Sequence, residues 1–87
     1  MIEAGTAVEK TCASIERNYE SVIKVIDRHI KAAIEKGQFS IQIKEEMFMK
    51  ELGLYLSLHE TYAILRLFDE HGYTVCRQAS GDICISW

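Results

Sequence analysis

Proline is absent from the 87 residues and glycine occurs only five times. Without proline nothing forbids helix outright, so Gly37, Gly53, Gly72 and Gly81 become the main punctuation of the chain. No segment reaches the roughly 18 consecutive apolar residues of a membrane span. The amino terminus, Met1 to Lys10, also lacks the cationic start and unbroken apolar stretch of a secretory signal. The expected location is therefore the cytoplasm, with no membrane partner. Basic residues are in deficit, ten Lys plus Arg against thirteen Asp plus Glu, for a net charge of −3. With no basic run there is no phosphate-neutralising surface, and nucleic acid is not an expected ligand. Cysteine is scarce and odd in number: Cys12, Cys76 and Cys84 have no C-x-x-C spacing and suit reduced thiols rather than a disulfide framework or a zinc site. No metal and no cofactor are expected.

Apolar residues make up 48% of the chain, which excludes disorder. The length fits a single domain, residues 1–87. A domain this short buries only about 60% of the surface its unfolded chain exposes, so a staple or a partner subunit is expected to add stability.

From Glu3 to Lys36 the chain reads as helix, with room for a kink or frayed turn near Arg17-Asn18, and is stopped by Gly37. Val8, Ile15, Val22 and His29 recur every seven residues, and Cys12, Tyr19, Ile26 and Ala33 do the same four residues on. This is an a/d-like seam. Ile23, Ile30 and Ile34 widen it toward the carboxyl end, as expected where a helix covers a domain body. A helix of about 34 residues spans roughly 50 Å, against a body of roughly 20–25 Å, so its first half would overhang. The alternative is two helices folded back at Arg17-Asn18, but no glycine or proline marks a turn there. Residues 1–36 are therefore expected to form a long helix that pairs with other copies. Val8, Cys12, Ile15, Tyr19, Val22 and Ile26 are its expected interface, and residues 37–87 form a small α+β body.

In that body Gln38 to Ile43 alternates strictly, placing Phe39, Ile41 and Ile43 on one face of a strand. Lys44 to Leu52 reads as a short helix closed by Gly53. Ser57 and Glu60 have the spacing of a capping box ahead of a helix from about Leu58 to His71. Gly72 stops it, and Tyr73–Arg77 and Asp82–Trp87 then form a hairpin around Gln78-Ala-Ser-Gly-Asp. A three-residue loop with Gly81 in the left-handed position sets Cys76 opposite Cys84, Val75 opposite Ile85 and Tyr73 opposite Trp87. The predicted class is α+β: a long helix, one strand, two helices and a carboxyl-terminal hairpin. Its three-stranded antiparallel or mixed sheet is covered on one face by helices.

The succession A-I-E-K-G-Q-F-S-I-Q-I, S-L-H-E, D-E-H-G-Y-T-V and D-I-C-I-S-W, from Ile34 onward with Ala33 at its head, resembles short, mostly uncharacterised bacteriophage and prophage accessory proteins. Its most distinctive elements are Gly72-Tyr73-Thr74-Val75 and the terminal Ile85-Ser86-Trp87. The resemblance implies a small protein of the host cytoplasm made during infection, where inhibition of host functions and anti-defence are common roles. It lends no catalytic residue.

The residues themselves offer little chemistry. His59-Glu60 begins like H-E-x-x-H, but Ala63 stands where the second metal ligand belongs. His29 falls in the apolar seam and His71 at a helix end, and both read as structural. Cys76 and Cys84 are two ligands at most and read as packing residues. The loop 78–82 has one glycine and no phosphate-cradling pattern. Met47, Phe48, Met49, Leu52, Leu54, Tyr55, Leu56 and Leu58 form a run too apolar for a segment with one exposed side, and burial against a subunit or partner is expected. The leading expectation is a non-catalytic interaction protein that self-associates and inhibits a host protein. A binder that sequesters a small nucleotide signal, with Arg17, Tyr19, Arg77 and Trp87 lining a pocket between subunits, is the alternative, and a virion or assembly component is a third. The expected contacts to a partner or ligand are Arg17, Met47, Phe48, Tyr55, Arg77 and Trp87.

Overall fold

In the computed structural model, which describes residues 1–87, the chain runs α1 (Ala4–Asn18), α2 (Glu20–Glu35), β1 (Ser40–Ile43), α3 (Glu45–Leu52), α4 (Leu58–Glu70), β2 (Thr74–Arg77) and β3 (Ile83–Ser86). The α+β class and the one-sided cover of the sheet are as expected. The sheet is wholly antiparallel in the order β1-β3-β2, so the last strand is central and both edges come from earlier parts of the chain.

The hairpin sets the register. Gly81 takes φ 94°, which a side chain would resist, and the Gln78 N–H donates to the Asp82 carbonyl at 2.8 Å. Cys76 then faces Cys84 and Val75 faces Ile85, while β1 places Ile41 against Ile85 and Ile43 against Ile83. Ile43, Ile83 and Ile85 are buried under the helices. Ser40, Gln42, Thr74, Cys76, Cys84 and Ser86 share the opposite face, over which no helix lies. Phe39, which strand alternation puts on the core side, is 74% exposed, because β1 begins only at Ser40; its carbonyl still accepts from the Trp87 N–H at 3.0 Å.

The first 36 residues depart from the single long helix. Tyr19 takes φ −119° and ψ 29° and divides it into α1 and α2. The Tyr19 N–H still reaches the Ile15 carbonyl at 2.9 Å and the Ile23 N–H the Tyr19 carbonyl at 3.0 Å, so the chain is kinked rather than folded back as a hairpin. The kink brings α1 onto α4, and the longest dimension of the molecule is 44 Å, short of a free helix standing on a separate body. Its cause is burial: turning α1 inward gives Cys12, Ile15 and Tyr19 the core as a neighbour, which outweighs the disturbed helix hydrogen bonds. The seam assigned to other copies is thus spent within the chain. Val22 and Ile26 are 1% and 0% exposed and Ile15 is buried, so none of the three is available to a second chain; Val8, Cys12 and Tyr19 are half-buried.

The remaining elements follow their local signals. Gly53 ends α3 in the left-handed conformation, its N–H bonded to the Met49 carbonyl at 3.0 Å. Ser57 caps α4 with a full capping box: its Oγ accepts from the Glu60 N–H at 3.1 Å and the Glu60 carboxylate accepts from the Ser57 N–H at 3.2 Å.

Candidate functional site

Three surfaces present side chains able to meet a partner or ligand. The first is a groove of about 590 Å³ between α4 and the outer edge of β2. Helix α4 buries Ile64, Leu65, Leu67 and Phe68, so His59, Tyr62, Arg66 and Asp69, spaced three and four residues apart on the other side, form one solvent stripe along the groove. Strand β2 adds Val75 and Arg77. Arg66 Nε is 3.1 Å from Glu70 Oε1 on the same helix, an exposed pair of small energetic weight.

The second surface is the segment around the α3–α4 connection. Met49, Leu54, Tyr55 and Leu58 are all exposed, Tyr55 to 71%. The stop at Gly53 turns the chain outward, and the capping box restarts helix only at Leu58, so this apolar stretch lies on the outside. Arg28 on α2 anchors the far side of α3 through Glu51 at 2.9 Å.

The third is the open sheet face. Gln42 Nε2 donates to Gln78 Oε1 at 3.2 Å and to Asp82 Oδ2 at 3.3 Å, and Gln78 Nε2 donates to Cys84 Sγ at 3.5 Å. Burial pushes the Cys84 thiol up, and its neighbours Cys76 and Asp82 push the same way. A thiol held protonated is a weak nucleophile and a weak metal ligand at neutral pH.

The remaining titratable groups act within the fold. The Tyr19 phenol faces the Glu60 carboxylate; burial pushes the phenol up, reinforced by Glu60, while bonds from the Ser57 backbone and hydroxyl, then Tyr19, hold the Glu60 carboxyl down. The pair thus ties the kink between α1 and α2 to the start of α4. His71 Nδ1 lies 2.9 Å from the Leu67 carbonyl, and its Nε2 is 3.8 Å from Glu16. His29 Nε2 is buried with no hydrogen-bond partner. No three His, Cys, Asp or Glu side chains gather as metal ligands.

The contacts expected from the sequence scatter over these surfaces. Tyr55 is exposed on the apolar segment and Arg77 lines the groove. Met47 is half-buried against the core and Phe48, 4% exposed, is a core residue, which removes it from any binding surface: α3 is short, and Phe48 is its one fully buried side chain. Arg17 lies exposed on the last turn of α1, 3.5 Å from Ser14 Oγ. Trp87 packs edge-on to Tyr73, with ring centroids 6.2 Å apart, beside a different depression lined by Ile34 and His71. Arg17, Tyr19, Arg77 and Trp87 are therefore not gathered within one chain. The α4 stripe is not among the expected contacts, because the apolar positions that define α4 lie on its other side; the spacing of 59, 62, 66 and 69 is the signal that identifies it.

No protein-family model, no curated protein and no solved structure matches the chain.

Proposed function

We propose that the chain is a non-catalytic interaction protein that binds a partner protein through the apolar segment Met49–Leu58; in the phage setting implied by its carboxyl-terminal motifs, the partner is a host protein. The observation that carries this reading is the exposure of Met49, Leu54, Tyr55 and Leu58 together in one short stretch of a 10.0 kDa chain. A small domain that leaves aromatic and aliphatic anchors outside loses stability it can ill spare, and such anchors are the side chains that dominate protein interfaces. Their surroundings define the partner's chemistry. Residues 37–87 carry seven Asp and Glu against four Lys and Arg, but the segment itself holds one lysine, Lys50, and one glutamate, Glu51, which is paired with Arg28. The complementary surface is an apolar pocket that takes aromatic and aliphatic anchors.

Site-specific photocrosslinking tests the reading. A photoreactive phenylalanine analogue at Tyr55, introduced in cells that make the protein, should join it to one polypeptide. The adduct should disappear when Leu58→Glu is added and should be absent when the analogue replaces exposed Lys31 on α2. Equal adducts at both positions, or none at Tyr55, would exclude a docking role for this segment.

A further inference from the structure

Strand β2 ends the sheet order β1-β3-β2, so its outer edge is unpaired. The bond between Gln78 and Asp82 closes the loop, and antiparallel alternation then makes Cys76–Cys84 and Thr74–Ser86 the hydrogen-bonded pairs. It follows that the N–H and C=O groups of Val75 and Arg77 point away from the sheet. Natural edges are usually blunted by charged side chains, proline or a bulge; Thr74–Arg77 has no proline and no bulge, and Arg77 at its end is its one charge.

The groove above this edge has a symmetry that selects its occupant. Measured from Tyr73, Cys76 lies about 10 Å along the strand, and measured back from Glu70, Ile64 lies about 9 Å along the helix. With α4 packed on β2 and joined to it by a short turn, a two-fold axis normal to the sheet at Cys76 falls about level with Ile64 on α4. About that axis Val75 meets Arg77 of the second copy with outward-pointing backbone groups on both sides, and two antiparallel α4 helices place His59 against Asp69 and Tyr62 against Arg66. The first is a pairing of opposite charge when the imidazole is protonated, and the second is a cation–π pairing. An axis one residue earlier, at Val75, would instead bring the two Arg66 side chains together. Charge thus chooses between the registers.

We propose that the chain forms an isologous dimer in which two β2 edges pair antiparallel about Cys76, joining the two sheets into one, with the α4 stripe of each copy seated in the other's groove. This surface meets the Met49–Leu58 segment at Leu58, one helical turn before Tyr62, and leaves Met49, Leu54 and Tyr55 free on both copies. It also replaces the seam on α1 and α2 as the route to self-association.

The test uses the full chain carrying Cys12→Ser and Cys84→Ser, which leaves Cys76 as its one thiol. Sedimentation equilibrium should give twice the 10.0 kDa chain mass. Diamide, which takes up two thiol hydrogens as one S–S bond forms, should convert the protein to a covalent dimer, because Cys76 faces its own copy at a non-hydrogen-bonded position. Tyr62→Lys, at an exposed side chain, sets a charge against Arg66 of the second copy and should raise the dimer dissociation constant at least about tenfold, while Tyr55→Lys leaves it unchanged. A wild-type monomer at about 100 μM, well above the dissociation constant of a specific dimer, overturns the proposal. So does a dimer that resists Tyr62→Lys and yields no Cys76 disulfide, or a monomer that retains a nucleotide in native mass spectrometry.

Discussion

Cys76 stands directly opposite Cys84 across the β2–β3 hairpin, on the sheet face that no helix covers. Neighbouring strands at such a pair bring the Cα atoms to about 5.5 Å, inside the range a disulfide spans. At high dilution, diamide should close an intrachain Cys76–Cys84 bond at unchanged chain mass, leaving Cys12 free to be alkylated. Because the Cys84 thiol is pushed up by burial and by Cys76, little of it is thiolate at neutral pH, and oxidation of the pair without an added oxidant should be slow. Replacing both by Ser should leave the circular dichroism spectrum intact and change stability by less than about 1 kcal/mol.

Glu60 and Tyr19 give stability a slope at each end of the pH scale. The Glu60 carboxyl is held below its ordinary value by the Ser57 cap and by Tyr19, so its contribution is present above the unfolded value of about 4.3 and is lost as pH falls through the folded value. Tyr19 is shifted upward by burial and by Glu60, so its contribution is full below about 10 and declines as pH rises through the folded value. Urea titrations across pH should show the acid slope flatten in Glu60→Gln and the alkaline slope flatten in Tyr19→Phe. At neutral pH, Ser57→Ala should cost about 1 kcal/mol through the lost cap.

The heptad-spaced residues should behave as core. Ile26→Ala should cost about 2–5 kcal/mol, as expected for a fully buried side chain. Val22→Glu buries an unpaired charge and should remove on the order of the whole stability of a small domain, about 5 kcal/mol. Thermal unfolding followed by circular dichroism separates this from loss of an interface, since a seam between copies would give smaller, folded particles.

Gly81→Ala should be the most damaging change in the loops. The residue takes φ 94°, and a Cβ there meets the Glu45 carboxylate. The Glu45 side chain can move away but the backbone strain stays, so a loss of about 1–2 kcal/mol is expected even when paired with Glu45→Ala. A thermal shift fully restored by Glu45→Ala would mean that the contact, not the backbone, sets the cost.

The body of the fold was legible because each element carries its own punctuation. Alternation gave β1, Gly53 and the Ser57–Glu60 box bounded α3 and α4, and Gly81 fixed the hairpin to the residue. The kink at Tyr19 carries no such local mark. It arises from the tertiary gain of laying Cys12 and Ile15 on the core, and periodicity cannot tell a seam that faces another copy from one that faces the chain's own body. For the same reason Phe48 and Tyr55, both in one apolar run, end on opposite sides of the surface. The α4 stripe was written in the sequence, but the unpaired β2 edge that makes it a groove exists only once the last strand enters the centre of the sheet.

The measurement that bears most directly on function is the equilibrium affinity between the purified chain and the polypeptide cross-linked at Tyr55. Leu58→Glu should weaken it at least about tenfold, since a charge at an apolar anchor costs more than about 1.4 kcal/mol, while Lys31→Glu on α2 leaves it unchanged. Identical affinities for the wild-type protein and Leu58→Glu, with both proteins folded, would contradict the account.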